Sequence, residues 1–65
     1  MSKHEATELA KQAIKSVTVG NPISVAEATV LVRNTDGTYS VCDNGEEAVA
    51  QSESEAIEFI VENLS

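Results

Sequence analysis

Sixty-five residues are enough for one domain, residues 1–65, and a chain this short buries only about 60% of its unfolded surface. A single cysteine, Cys42, excludes an internal disulfide, and a single histidine, His4, leaves too few ligands for a structural metal. A formal net charge of −7 argues against direct binding to DNA, RNA or an anionic membrane and points to a partner with a basic surface.

Hydrophobic residues make up 42% of the chain, enough for a core, although Tyr39 and Phe59 are the only aromatics. No apolar run approaches the roughly 20 residues of a membrane span. Lys3 is followed at once by Glu5 and Glu8 in place of a secretory apolar stretch. With the lone thiol, these features lead to the expectation of a cytoplasmic protein.

Ser2-Lys3-His4-Glu5 has the form of a capping box, with the Ser2 hydroxyl accepting from the Glu5 amide and the Glu5 carboxylate reaching back to the Ser2 amide. Ala6, Leu9, Ala10, Ala13, Ile14 and Val17 recur at helical spacing, with Glu8, Lys11, Gln12 and Lys15 outside that stripe. The β-branched Val17-Thr18-Val19 weakens this first helix, and Gly20-Asn21-Pro22 is expected to stop it. Residues 23–28 read either as one capped helical turn, from Ser24 to Glu27, or as extended chain.

From Thr29, the run Thr-Val-Leu-Val predicts a strand, and Asn34-Thr35-Asp36-Gly37 a type I turn with a glycine bulge. That turn sets Val32 opposite Ser40, Leu31 opposite Val41 and Val30 opposite Cys42, in a second strand from Thr38 to Asp43. Asn44-Gly45 then predicts a tight hairpin into a third strand, Glu46 to Ala50, with Val41 opposite Ala48 and Ser40 opposite Val49. One sheet face carries Val30, Val32, Cys42 and Val49, and the other Leu31, Tyr39, Val41, Ala48 and Ala50; both are apolar enough to be the covered one. Ser52-Glu53-Ser54-Glu55 is a second capping box, opening a helix with Ala56, Ile57, Ile60, Val61 and Leu64 on its stripe and Phe59 at the margin. The expected fold is α+β, in the order α-β-β-β-α, a three-stranded antiparallel meander with N- and C-terminal helices.

The chemistry-bearing residues do not assemble into a reaction. Cys42 sits in a strand among valines, where a free cysteine ordinarily behaves as a small hydrophobe, and His4 is its only conceivable base. The turns at Asp36-Gly37 and Asp43-Asn44-Gly45 do not make a calcium loop. With Gly45 at the sixth position, the first would be Ser40 and the twelfth Gln51. A non-enzymatic protein without metal or cofactor is expected.

Charge is the feature that stands out. Residues 1–33 hold Lys3, Lys11, Lys15 and Arg33 against Glu5, Glu8 and Glu27. From Asn34 onward the acids are Asp36, Asp43, Glu46, Glu47, Glu53, Glu55, Glu58 and Glu62, with no Lys or Arg. Glu55–Glu58 and Glu58–Glu62 set like charges on adjacent helical turns, each costing a few tenths of a kcal/mol, and Glu62 opposes the helix dipole. The rise between such residues, about 4.5–6 Å, is of the order of successive backbone phosphates.

The hairpin Thr29-Val-Leu-Val-Arg-Asn-Thr-Asp-Gly-Thr-Tyr-Ser-Val41, the helix start Ser52-Glu-Ser-Glu-Ala-Ile-Glu-Phe-Ile60, and the small size and acidity of the chain resemble the small phage-encoded anti-CRISPR proteins, in particular the group that blocks type I-C surveillance complexes. The resemblance covers residues 29–65. It implies an acidic DNA mimic, acting as a monomer in an infected bacterial host, that occupies the Arg and Lys of a basic DNA-binding site on a CRISPR surveillance subunit. Glu46, Glu47, Glu53, Glu55, Glu58 and Glu62 would make the contacts, together with Asp43 and Asp36. The alternative is a small structural or assembly module, such as a phage connector, whose apolar interface is a sheet face with Leu31, Tyr39 and Val41 uncovered.

Overall fold

A computed structural model describes all of residues 1–65. The chain runs α1 (Lys3–Ser16), β1 (Ile23–Ala26), β2 (Thr29–Arg33), β3 (Tyr39–Asp43), β4 (Glu46–Ala50) and α2 (Glu53–Leu64). The four strands form one antiparallel sheet in sequence order, and both helices lie on the same side of it. The fold is α+β, and the meander has four strands where three were expected.

The additional strand is β1, from the segment with two readings. Ile23 faces Leu31 and Ser24 faces Val30, with the register shifting by Ala26, which faces Thr29. The connecting residues Glu27-Ala28 carry no turn signature, and Glu27 takes a left-handed φ of 52°, a conformation costly for a residue with a Cβ. Local propensity gave no reason for a turn here. Pairing with β2 and contact of Ile23, Val25 and Ala26 with the core supply it.

The first helix also ends earlier than Gly20. Val17 is its C-cap, extended at φ −70° and ψ 139°, and its N–H closes the helix onto Ala13 O. The β-branched run therefore leaves the helix at once, while Val17 itself is buried at 4% exposure. Gly20 serves a different purpose: with φ 78°, its N–H donates to Arg33 O at 3.0 Å, tying the connection to the end of β2.

The two hairpins pair as their turns dictate. Leu31 faces Val41, Val32 faces Ser40 and Val30 faces Cys42; Val41 faces Ala48 and Ser40 faces Val49. In the β2–β3 turn, Gly37 has φ 88° and Asn34 N–H donates to Thr38 O at 2.8 Å. In the β3–β4 turn, Asn44 and Gly45 both have positive φ, at 52° and 85°, as a two-residue primed hairpin requires.

The core lies between the sheet and the helices. Leu31, Tyr39, Val41 and Ala50 from the sheet meet Ala6, Ala10, Ala13 and Val17 of the α1 side and Ala56, Ile60 and Leu64 of α2. The alanine ridge of α1 lets the two helices approach closely, and large residues come mainly from the sheet and α2. Leu31 and Ile60 are fully buried, and truncating either would cost about 2–5 kcal/mol. The expectation that Leu31, Tyr39 and Val41 form an uncovered interface is corrected by this packing. They are the covered face, and the open face holds Val30, Val32, Cys42 and Val49.

Candidate functional site

The acidic residues collect on one side of the molecule because of how the helices divide the sheet. α1 packs against β1, whereas α2 packs against β3 and β4. Lys3, Lys11 and Lys15 all belong to α1, and Arg33 ends β2. Asp43, Glu46, Glu47, Glu53, Glu55, Glu58 and Glu62 belong to the β3–β4–α2 side, where no Lys or Arg occurs. An imbalance along the chain thus becomes an imbalance across the fold.

Each carboxylate has a distinct position. Asp43 and Glu46 flank the Asn44-Gly45 turn and face each other across the ladder. Like charges so placed destabilise a hairpin, by an amount on the order of the 0.2–1 kcal/mol that opposite charges contribute there. Glu47 faces Cys42 on the open side of the sheet. Glu53, Glu58 and Glu62 are exposed on α2. Glu53 stands in the first helical turn, where the dipole favours it, and Glu62 in the last, where it does not.

Two members of the expected contact set have structural tasks. Ser52 Oγ accepts from the Glu55 N–H at 3.2 Å, and Glu55 Oε1 accepts from the Gln51 N–H at 3.2 Å. The return bond therefore reaches the residue before the cap, not Ser52 itself, and joins α2 to the end of β4. The box at the first helix also differs from expectation. Ser2 Oγ accepts from the Glu5 N–H at 3.2 Å, but Glu5 Oε1 accepts from the Ser2 hydroxyl, at 3.1 Å, instead of from the Ser2 amide.

Asp36 is held by the β2–β3 turn. Its Oδ1 accepts from the Thr38 hydroxyl at 2.6 Å and from the Thr38 N–H at 3.0 Å. The hydroxyl bond first, and the amide bond second, hold its carboxyl below the ordinary value. Asn34 Nδ2 completes the network, donating to Thr38 Oγ1 and to Ser40 Oγ, each at 3.0 Å. Asp36 lies in the β2–β3 turn, where these bonds give it a structural task.

The ridge on α2 is not without cations nearby. Glu58 and Glu62 share an open groove of about 320 Å³ with Lys3, Thr7, Ile57 and Val61, where the two helices meet. Lys3 is thus the basic border of the acidic side. Glu55 and the half-buried Phe59 do not line that groove, and Glu55 is tied to the end of β4 through Gln51.

Cys42 is half-buried on the open face, and His4 is exposed on α1, so the sheet separates them. No three His, Cys, Asp or Glu side chains converge as metal ligands. No helix is long and apolar enough to cross a membrane. The geometry defines a small two-layer α+β domain with one acidic side. Among known proteins no family model, curated sequence or solved structure matches the chain.

Proposed function

We propose that the protein is a non-enzymatic inhibitor that mimics DNA, presenting its acidic side to the basic DNA-binding site of another protein. The partner class suggested by the resemblance of the hairpin and helix start is a type I CRISPR surveillance complex. The observation that carries the reading is the concentration of carboxylates on the β3–β4–α2 side at a local cost. Asp43 against Glu46 and Glu58 against Glu62 repel, and a lysine at either place would have stabilised the fold. Glu46, Glu47, Glu53, Glu58 and Glu62 form the main contact set, with Asp43 beside the turn. Glu55 and Asp36 contribute charge from positions fixed by their own hydrogen bonds.

Such a surface competes with DNA by pairing with Arg and Lys that otherwise neutralise phosphates, so affinity falls steeply as salt rises. The test is a DNA-binding assay with a type I-C complex, comparing the protein with a variant carrying Glu46→Lys, Glu58→Lys and Glu62→Lys. Loss of inhibition with an unchanged circular dichroism spectrum is expected. Full inhibition by that folded variant would exclude an acidic mimic.

A further inference from the structure

The sheet has two outer strands, and β4 is one of them. Which of its backbone groups point outwards follows from the two hairpins. Asn34 N–H bonds to Thr38 O, so alternation turns the peptide groups of Ser40 and Cys42 towards β2 and those of Tyr39, Val41 and Asp43 towards β4. The two-residue turn agrees, since it closes on Asp43 and Glu46 as a hydrogen-bonded pair. Glu46, Ala48 and Ala50 are therefore spent on β3. Glu47 and Val49 direct their N–H and C=O groups away from the sheet, and no backbone bond outside the ladders involves either residue.

This edge is regular and open. From Glu46 to Val49 every residue is exposed, Val49 at 48%. The free row has definite ends: Asn44-Gly45 turns the chain at one end, and at the other the Gln51 N–H is already held by Glu55. Glu47 and Val49 share the open sheet face, while Glu46 lies on the helix side.

We propose that this edge takes up an extended basic segment of the partner protein as a fifth strand, antiparallel to β4. Read from its N-terminus, the segment places an apolar residue against Val49, then any residue against Ala48, then Lys or Arg against Glu47 and against Glu46. The residues against Val49 and Glu47 each exchange a pair of backbone hydrogen bonds with β4, and the apolar one extends the row formed by Val49, Ser40 and Val32. Charge selects this occupant over a second copy of the chain. Self-pairing centred on Ala48 would satisfy the same backbone groups, but it joins two molecules of charge −7 along their acidic sides. The inference rests on the acidic-surface reading and adds a direction and a sequence pattern to it.

The test uses a synthetic peptide of about seven residues centred on Thr-Val-Thr-Lys-Arg, long enough for one added strand. Its control has the same composition in scrambled order, and both are titrated into the isotopically labelled protein and followed by NMR. The ordered peptide is expected to bind about tenfold more tightly than the scrambled one, the difference that a registered pair of backbone bonds can make. Binding should slow exchange of the Glu47 and Val49 amides. Val49→Pro removes an outward N–H at an edge position where proline is tolerated, and it should abolish the preference while leaving the weaker, charge-driven binding. A peptide N-methylated at the residue facing Val49 tests the same ladder without altering the protein.

Equal affinity for ordered and scrambled peptides, or unchanged preference in Val49→Pro, would overturn the inference. So would protection of these amides without peptide together with a doubled mass in sedimentation, which would assign the edge to a second copy. Failure of the acidic-mimic reading looks different, because Glu58→Lys and Glu62→Lys lie off β4: inhibition would survive them whatever the peptide does.

Discussion

The outer strands of the sheet differ in almost every respect that governs whether an edge is available. β1 has four residues, shifts register between Ser24 and Ala26, and runs into Glu27 at a left-handed φ of 52°. The chain before it continues alongside β2, with Val19 bridging Arg33 and Gly20 N–H donating to Arg33 O. α1 then packs over β1. β4 has five residues in unbroken register with β3, is exposed over four of them, and carries two carboxylates. A bulged, short edge resists strand addition, whereas a regular one admits it unless charge forbids the partner. The negative charge on β4 disfavours pairing with another copy of this acidic chain and, on the proposal made above, selects a basic strand for the edge.

The contrast can be broken at its foundation by Leu31→Ala. Leu31 is fully buried and faces both Ile23 of β1 and Val41 of β3, so its loss should cost about 2–5 kcal/mol in urea denaturation, much of what a chain this small possesses. Loosening should appear on both sides of β2 in amide exchange. Confinement to the β1 side would show that the outer strand is held independently.

Smaller changes act on one edge each. Ser52→Ala removes the N-cap of α2 and should lower stability by about 1 kcal/mol. Fraying of that first turn also releases the Gln51 N–H from Glu55, so faster Gln51 exchange should accompany the loss and lengthen the free edge of β4. At the other edge, Glu27→Gly relieves the left-handed strain. Its expected effect is a gain of up to about 1 kcal/mol in denaturation, with β1 intact. A loss of similar size would mean that the Glu27 side chain contributes contacts worth more than the strain.

The smallest effect is in acid. The folded carboxyl of Asp36 is held below its unfolded value near 3.8, so the stability it contributes is present above that value and lost as pH falls through the folded one. Asp36→Asn should remove this part of the acid-induced decline and leave the profile near neutrality parallel to that of the unaltered protein.

The sequence was most legible where short-range chemistry acts alone. Asn44-Gly45 fixed a two-residue turn and with it the β3–β4 register, and Asn34 to Gly37 did the same for β2–β3. Ser2 and Ser52 marked the helix starts. Glu27-Ala28 was illegible because neither residue prefers the turn it makes, and Val17 ended a helix that Gly20 was expected to end. At Glu27-Ala28 burial and pairing outweighed local preference, whereas at Val17 the β-branched run left the helix before the glycine was reached. Among the candidate contacts, the acids could be counted in the sequence, but the bond from Gln51 to Glu55 and the groove shared by Glu58, Glu62 and Lys3 depend on packing.

What the sequence determined by itself is the hairpin registers, the helix starts and the imbalance of charge along the chain, since each depends on residues within a few positions of one another or on simple position along the chain. Tertiary structure decided which sheet face is covered, that residues 23–26 form a strand, and which strands lie at the edges. Those outcomes depend on alternatives of similar local energy, separated only when Leu31, Val41 and Ile60 were buried together between one side of the sheet and two helices. The outward row at Glu47 and Val49 combines both levels: its alternation was set by a turn, and its freedom by the place of β4 in the sheet.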